Sequence, residues 1–350
     1  MATKVFVGMS GGVDSSVVAA LLVEQGYDVT GVYMKNWTED MPGMHCPWAE
    51  DVADAKRVAV SLGIDFEVFD FENEYKQRVV DSMVAEYAAG RTPNPDVMCN
   101  QEIKFNLFLR TSLERGADMI ATGHYAKTEN GMLQMAIDDN KDQTYFLYRV
   151  DSEALEKTLF PLGNMTKQQV RDYAASHGLW TATKKESMGI CFVGQVGMRE
   201  FLEQYVELTP GEIIQKETGE VIGRHESAML YTIGQRHGLN VGGGLPYYVV
   251  GKDMQRNIVF VSQDLNHAEM WREQVSLQDM HWIGDAPAES DQLRVRLRHR
   301  GQLLSVRSFH IENGTMTLAL KNAERAVAAG QSAVIYRDSQ VLGGGILAAG

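Results

Sequence analysis

The first half of the chain alternates short apolar runs with longer stretches whose apolar residues recur at three- and four-residue spacing. The runs KVFVGM, DVTGVYM, IDFEVFDF and ADMIAT read as strands. Residues 15–25 read as the first intervening helix. Residues 48–62 place Val52, Ala55, Ala59 and Leu62 on one helical face and stop at Gly63. Residues 73–89 do the same with Tyr75, Val79, Met83 and Tyr87, and 100–115 read as a further helix. Alternation of this kind predicts a parallel, doubly wound sheet with helices on both faces.

After about Asp151 the periodicity is helical to about Val206, including a helix capped by Thr166 and ended by Gly178. From TPGEII onward the chain becomes Gly- and strand-rich. The stretch GDAPAESDQ over 284–292 reads as a linker or exposed loop, and the short strands from about Leu293 fit a small β-barrel. The expected organisation is a catalytic α/β domain over 1–198, a small central domain over 199–270 and a C-terminal β-barrel over 271–350.

With 44% hydrophobic and 23% charged residues, the 350-residue chain has a normal globular balance. No run approaches the ~18 apolar residues that cross a bilayer, and no signal-peptide pattern opens the chain, so a cytoplasmic location is expected. The net charge of −13 argues against a nucleic-acid partner unless a local basic patch overrides it. Cys46, Cys99 and Cys191 form no Cys-x-x-Cys or zinc-like spacing, so neither a structural metal nor an iron–sulfur cluster is expected.

Ser10-Gly11-Gly12-Val13-Asp14-Ser15 follows the first strand and opens the first helix. Unpaired amides and the positive dipole end make such a turn an anion site, and the glycines let backbone approach a phosphate. Asp14 cannot favour phosphate itself, so it is expected to hold Mg²⁺ or orient the loop. The turn has neither the Walker pattern nor the dinucleotide fingerprint.

The contexts of Cys99 and Cys191 are polar and turn-rich. Asn100 reads as a helix start, which would place Cys99 at a helix N-terminus where the dipole favours a thiolate, with Asp96 three residues upstream able to accept a proton. Cys191 lies between Gly189 and Gly194 in a segment able to swing. Cys46 reads as a small buried hydrophobe.

The ordered motifs GMSGGVDSSV, RTPNPDVMCNQEIKF, ATGHYAK, NKDQTYFLY, SMGICFVG, YTIGQRHGL, YYVVGKD and AGQSAVIY resemble, from end to end, the tRNA-specific 2-thiouridylases of the PP-loop ATP pyrophosphatase superfamily. The resemblance implies ATP-dependent 2-thiolation of the wobble uridine of tRNA, with Mg²⁺ accompanying ATP. It also implies a cysteine desulfurase or sulfur-relay protein as donor. Gly8, Met9, Ser10, Gly11, Gly12, Val13, Asp14 and Ser15 would hold the ATP phosphates, with Met34 and Gly123 around the adenosine. Cys99 matches the nucleophile, Cys191 the persulfide carrier and Asp96 the general acid/base. Asn94 and Pro95 would lie beside the target base. His124, Lys141, Asp142, Gln143, Arg296, Leu297 and Gln331 match tRNA-contacting positions. Leu297 stands where the family more often carries an aromatic residue, and Met188 where it more often carries a small polar one.

Arg294, Arg296, Arg298 and Arg300 alternate with other residues, so on a strand all four would project from one face and offer phosphate contacts. The competing functions are a PP-loop ligase making a small metabolite, for which two thiols are superfluous, and a nucleotide-binding regulator, which would release no pyrophosphate.

Overall fold

The computed structural model describes residues 2–40, 46–185, 197–242, 244–264 and 266–348. The N-terminal part carries strands β1 (Lys4–Gly8), β2 (Asp28–Lys35), β3 (Asp65–Asp70), β4 (Met119–Ala121), β5 (Lys127–Glu129), β6 (Met132–Gln134) and β7 (Thr158–Leu159). Five of them form a sheet in the order β3-β2-β1-β4-β7, parallel at every pairing.

Successive side chains of a strand point to opposite faces. Val5 and Val7 of β1 accordingly join one core and Phe6 the other. The first core is closed by the helices Val13–Glu24, Trp48–Leu62 and Lys167–Ser176. Helix Val13–Glu24 buries Val13, Val17, Val18, Ala19, Ala20 and Leu22, because helices cover it on more than one side. Thr166 caps Lys167–Ser176 as the sequence predicts, and Gln169 completes a reciprocal capping box with it. The second core takes the helical stretches 72–88 and 95–114.

The helix carrying Cys99 begins earlier than the sequence reading places it. Pro95 occupies its first position and Asn94 its N-cap. Proline loses nothing there, since that amide has no helical acceptor. Cys99 therefore lies beyond the first turn, 4% exposed, and Asp96 occupies the dipole end instead. From Cys99 to Phe108 the helix takes the wider i→i+5 winding.

Strands β8 (Gly211–Gln215), β9 (Val221–His225), β10 (Tyr248–Asp253) and β11 (Ile258–Ser262) form the central sheet, in the order β10-β11-β8-β9. The C-terminal strands are β12 (Trp271–Trp282), β13 (Arg294–Arg296), β14 (Leu304–Glu312), β15 (Thr315–Arg325), β16 (Ser332–Arg337) and β17 (Gln340–Leu347). They run β12-β15-β14-β13-β16-β17, and a β12–β17 pairing closes the barrel. Because β12 already belongs to the barrel, 284–292 is a loop within it and not a linker. The hairpin β5–β6 adds to β17 through Gln134 and Leu133, extending the barrel sheet into the catalytic domain. No described helix is long and apolar enough to cross a membrane.

The arginine row does not form. β13 ends at Arg296, and Arg300 at φ +58 turns the chain away before Gly301. Arg294 donates to the Asp338 carbonyl, and Arg298 pairs with Glu324. Leu297 is buried in the barrel core. Arg296 is buried against Asp142 at 2.9 Å, and the same carboxylate accepts from the Ala136 amide and the Thr144 hydroxyl. Arg296, Leu297 and Asp142 thus hold the barrel to the catalytic domain and are not presented to a polyanion. Removing one partner of a buried ion pair strands the other charge, so Arg296→Ala is expected to cost about 3–5 kcal/mol. Thermal melting checks this, and an unchanged melting temperature would contradict the structural role.

Candidate active site

In open parallel sheets, ligands bind beyond the carboxyl ends of the strands where the order reverses. Here that point lies between β1 and β4, since the chain winds from β1 toward β2 on one side and β4 lies on the other. The turn after β1 is Met9 to Gly12, and the turn after β4 carries Gly123 and His124.

The first turn is held by its own side chains. Ser15 Oγ accepts from the Ser10 amide at 3.2 Å, and Ser15 and Ser16 donate to the Gly12 carbonyl. Gly11 sits at φ +73, where a Cβ would collide with the Asp51 carbonyl. A Cβ at Gly123 would stand 3.1 Å from the Ser15 amide nitrogen and 3.2 Å from Asp14 Cβ. The two glycines thus bring three backbone segments together at one helix N-terminus. Met34 lies across from Gly8 at the end of β2. The turn fits a phosphate chain.

Asp14 does not fit the metal role. Both its carboxylate oxygens accept from Lys167 Nζ at 2.8 Å, and Tyr125 donates to one of them. Among the described residues no cluster of three His, Cys, Asp or Glu side chains offers a metal site. Sequence reading passed over Lys167, although a cation in the first turn of a helix opposes the macrodipole and so marks a place where an anion is needed.

On the other side of Gly123, His124 is buried between Phe105 and Phe160. Its Nε2 lies 3.3 Å from Lys104 Nζ and its Nδ1 2.8 Å from Thr122 Oγ1. An ammonium only donates, so Nε2 is the acceptor and the ring proton sits on Nδ1. Burial lowers the His124 pKa well below the usual histidine range, which keeps the ring neutral. Lys104 follows Cys99 by one turn of the widened helix. Burial raises the pKa of Asp96, and the Lys104 charge opposes that rise.

All three modules converge on the stretch that leads into Asp96. Lys252 of β10 donates to the Gly90 carbonyl, and Thr92 and Thr232 share a hydroxyl contact. From the barrel, the Ala329 carbonyl accepts from the Thr92 amide and Gln331 donates to the Thr92 carbonyl. A cleft of about 390 Å³ opens here, lined by Arg91, Asn94, Pro95, Met98, Arg149 and Asp279 among others.

Three family models cover the chain in turn. A tRNA methyl transferase HUP domain matches residues 3–195, a tRNA methyl transferase PRC-barrel domain 199–263, and an aminomethyltransferase β-barrel domain 272–347. The tRNA-specific 2-thiouridylase of Methylobacillus flagellatus is 45% identical over 99% of both chains. That of Enterococcus faecalis is 45% identical over 99% of this chain and 95% of its own.

The chain belongs to the tRNA-specific 2-thiouridylase family.

A solved 4-thiouridine synthetase–RNA complex with bound ATP overlaps at a TM-score of 0.39 and 17% identity, over 58% of this chain and 50% of that one. Within the 2-thiouridylase frame, the structure brings Gly8 to Ser15, Met34 and Gly123 to one turn cluster, with Asn94, Pro95 and Asp96 at the start of one helix and Cys99 just beyond its first turn. Gln143 accepts from the Tyr125 amide and so holds the turn that carries His124. Gln331 fixes the Pro-Asn-Pro segment, and Lys141 is half-buried nearby in sequence to Asp142. Cys191 and Met188 lie outside the described residues.

Proposed function

We propose that this chain replaces O2 of the wobble uridine of tRNA with sulfur, using ATP and a persulfide. The observation that carries the reading is the junction at Gly123–His124. Gly123 packs on the first turn of the ATP loop, and the next residue bonds to Lys104 on the helix of Asp96 and Cys99. The turn proposed for adenylation and the helix proposed to carry the thiol chemistry are linked through this junction, which supports the reading.

Asp96 takes the N3 proton of the uridine, and O2 forms a bond to the α-phosphorus as pyrophosphate leaves. The loop amides and Lys167 hold the phosphates. The terminal sulfur of a persulfide on Cys191 then attacks C2 and AMP departs. Cys99 attacks the Cys191 sulfur, which frees the thiocarbonyl and leaves a Cys99–Cys191 disulfide for an external thiol reductant. The sulfur would come from a cysteine desulfurase or relay protein.

Incubation with undermodified tRNA, Mg-ATP and a persulfide donor is expected to yield 2-thiouridine and equimolar AMP, read by mass spectrometry of digested tRNA. AMP without thiouridine, under turnover with an active donor, would reject sulfur transfer. Thiouridine made without ATP would reject adenylation.

A further inference from the structure

We propose that Lys104 is a positioning residue for the proton step, seated on neutral His124 and acting on Asp96 from two turns further along the same helix. The inference rests on the thiolation reading above and assigns it a residue that the sequence motifs leave without a role.

The argument begins with how the lysine is held. Its hydrogen-bond partner is the imidazole Nε2 at 3.3 Å, and that ring is fixed in turn by Thr122 and by the flanking Phe105 and Phe160. A neutral imidazole orients an ammonium without cancelling its charge, whereas a carboxylate would do both. Glu102, two residues away, is directed to Arg78 at 3.4 Å. The Lys104 charge is thereby left uncancelled in the middle of the helix that carries Asp96 and Cys99.

That charge has a specific use in the proposed chemistry. When the N3–H bond breaks, its proton goes to the Asp96 carboxylate and its electron pair is delocalised onto O2. O2 bonds to the α-phosphorus, and the bond from that phosphorus to the β-phosphate oxygen breaks. Before the transfer, the Lys104 charge favours the ionised Asp96. Afterwards Asp96 is neutral and the ammonium keeps its charge. Burial disfavours the ionised form of Asp96, and the Lys104 charge opposes that effect. His124, expected from the family motif to touch tRNA, becomes the seat of the lysine.

The test is a double-mutant cycle read by single-turnover AMP formation with saturating tRNA and Mg-ATP. Lys104→Met is expected to slow AMP formation about 100-fold, the scale of one acid–base contribution. Dissociation constants for tRNA and ATP should change by no more than about threefold, since the interaction acts on the chemical step. Lys104→Met combined with Asp96→Asn should be no slower than Asp96→Asn alone, because both changes remove one function. Lys104→Arg should recover part of the rate, and melting curves confirm that each variant is folded.

Multiplying losses in the double variant would overturn the proposal, as would a Lys104→Met enzyme whose defect lies only in binding. If Asp96→Asn is slow while Lys104→Met runs at the wild-type rate, the Lys104 assignment alone falls. If Asp96→Asn itself runs at the wild-type rate, the reading of Asp96 as proton acceptor fails first.

Discussion

Serine at position 99 is expected to abolish thiouridine formation, by a thousandfold or more on the scale of lost nucleophiles, while AMP formation continues. In the proposed scheme adenylation uses the turn after β1 and Asp96 but no sulfur. Release of sulfur from a persulfide needs an attacking thiolate, and a hydroxyl in the same place is not ionised at neutral pH. Cys99 is buried in the second core, to which Val97 and Ile103 also belong, and the serine occupies a nearly identical volume, so the helix should persist. Pre-persulfidated enzyme in single turnover, with AMP and thiouridine measured from the same sample, separates the two steps. Cys191→Ser should lose the persulfide itself, whereas Cys99→Ser should retain it. Normal thiouridine yield from Cys99→Ser would remove Cys99 from the mechanism.

The second large effect is expected at Lys167. Its ammonium spans both oxygens of Asp14 at the mouth of the phosphate turn, and its side chain is 13% exposed. A cation fixed at a site where pyrophosphate departs stabilises the charge that develops there, and preorganised groups of this kind contribute about 10²–10³ in rate. Lys167→Met should therefore lower pyrophosphate release by that factor. Asp14→Ala should lower it comparably, because Lys167 loses the carboxylate that holds it in place. The two changes together should cost little more than either alone. Continuous pyrophosphate detection with saturating tRNA reads the effect. Wild-type rates from both single variants would show that the pair only ties helix Lys167–Ser176 to the loop.

Most of the catalytic domain was legible because its signals are local. The apolar runs of β1 and β2, the Gly63 stop and the Thr166 cap each follow from a few neighbouring residues, and each appears as expected. The Gly-rich turn after β1 was legible for the same reason, since two glycines between a strand and a helix constrain the backbone by themselves. The start of the Cys99 helix was misplaced by a local ambiguity. Proline ends one helix and begins another with equal ease, and here Pro95 begins one.

The arginine row failed for a different reason. Alternation places residues on one face only while the strand lasts, and β13 stops at Arg296. Nothing within the run indicates that Asp142, far away in sequence, will claim Arg296, or that Asp338 and Glu324 will engage its neighbours. Lys167 and Lys104 were missed likewise, because their partners Asp14 and His124 reach them only through the fold.

By itself, then, the sequence determined which segments wind, where a glycine turn opens a helix after the first strand, which thiols are candidates and, through its ordered motifs, which family the chain resembles. These depend on short-range sterics, periodicity and residue identity. Only the tertiary structure decided which charges are free and which are spent on internal pairs. It also decided that three modules clamp residues 90–92 ahead of Asp96, and that His124 joins the phosphate turn to the thiol helix. Ion pairs and hydrogen bonds form over a few ångströms between residues far apart along the chain, so their pairing becomes fixed when the sheet and barrel close.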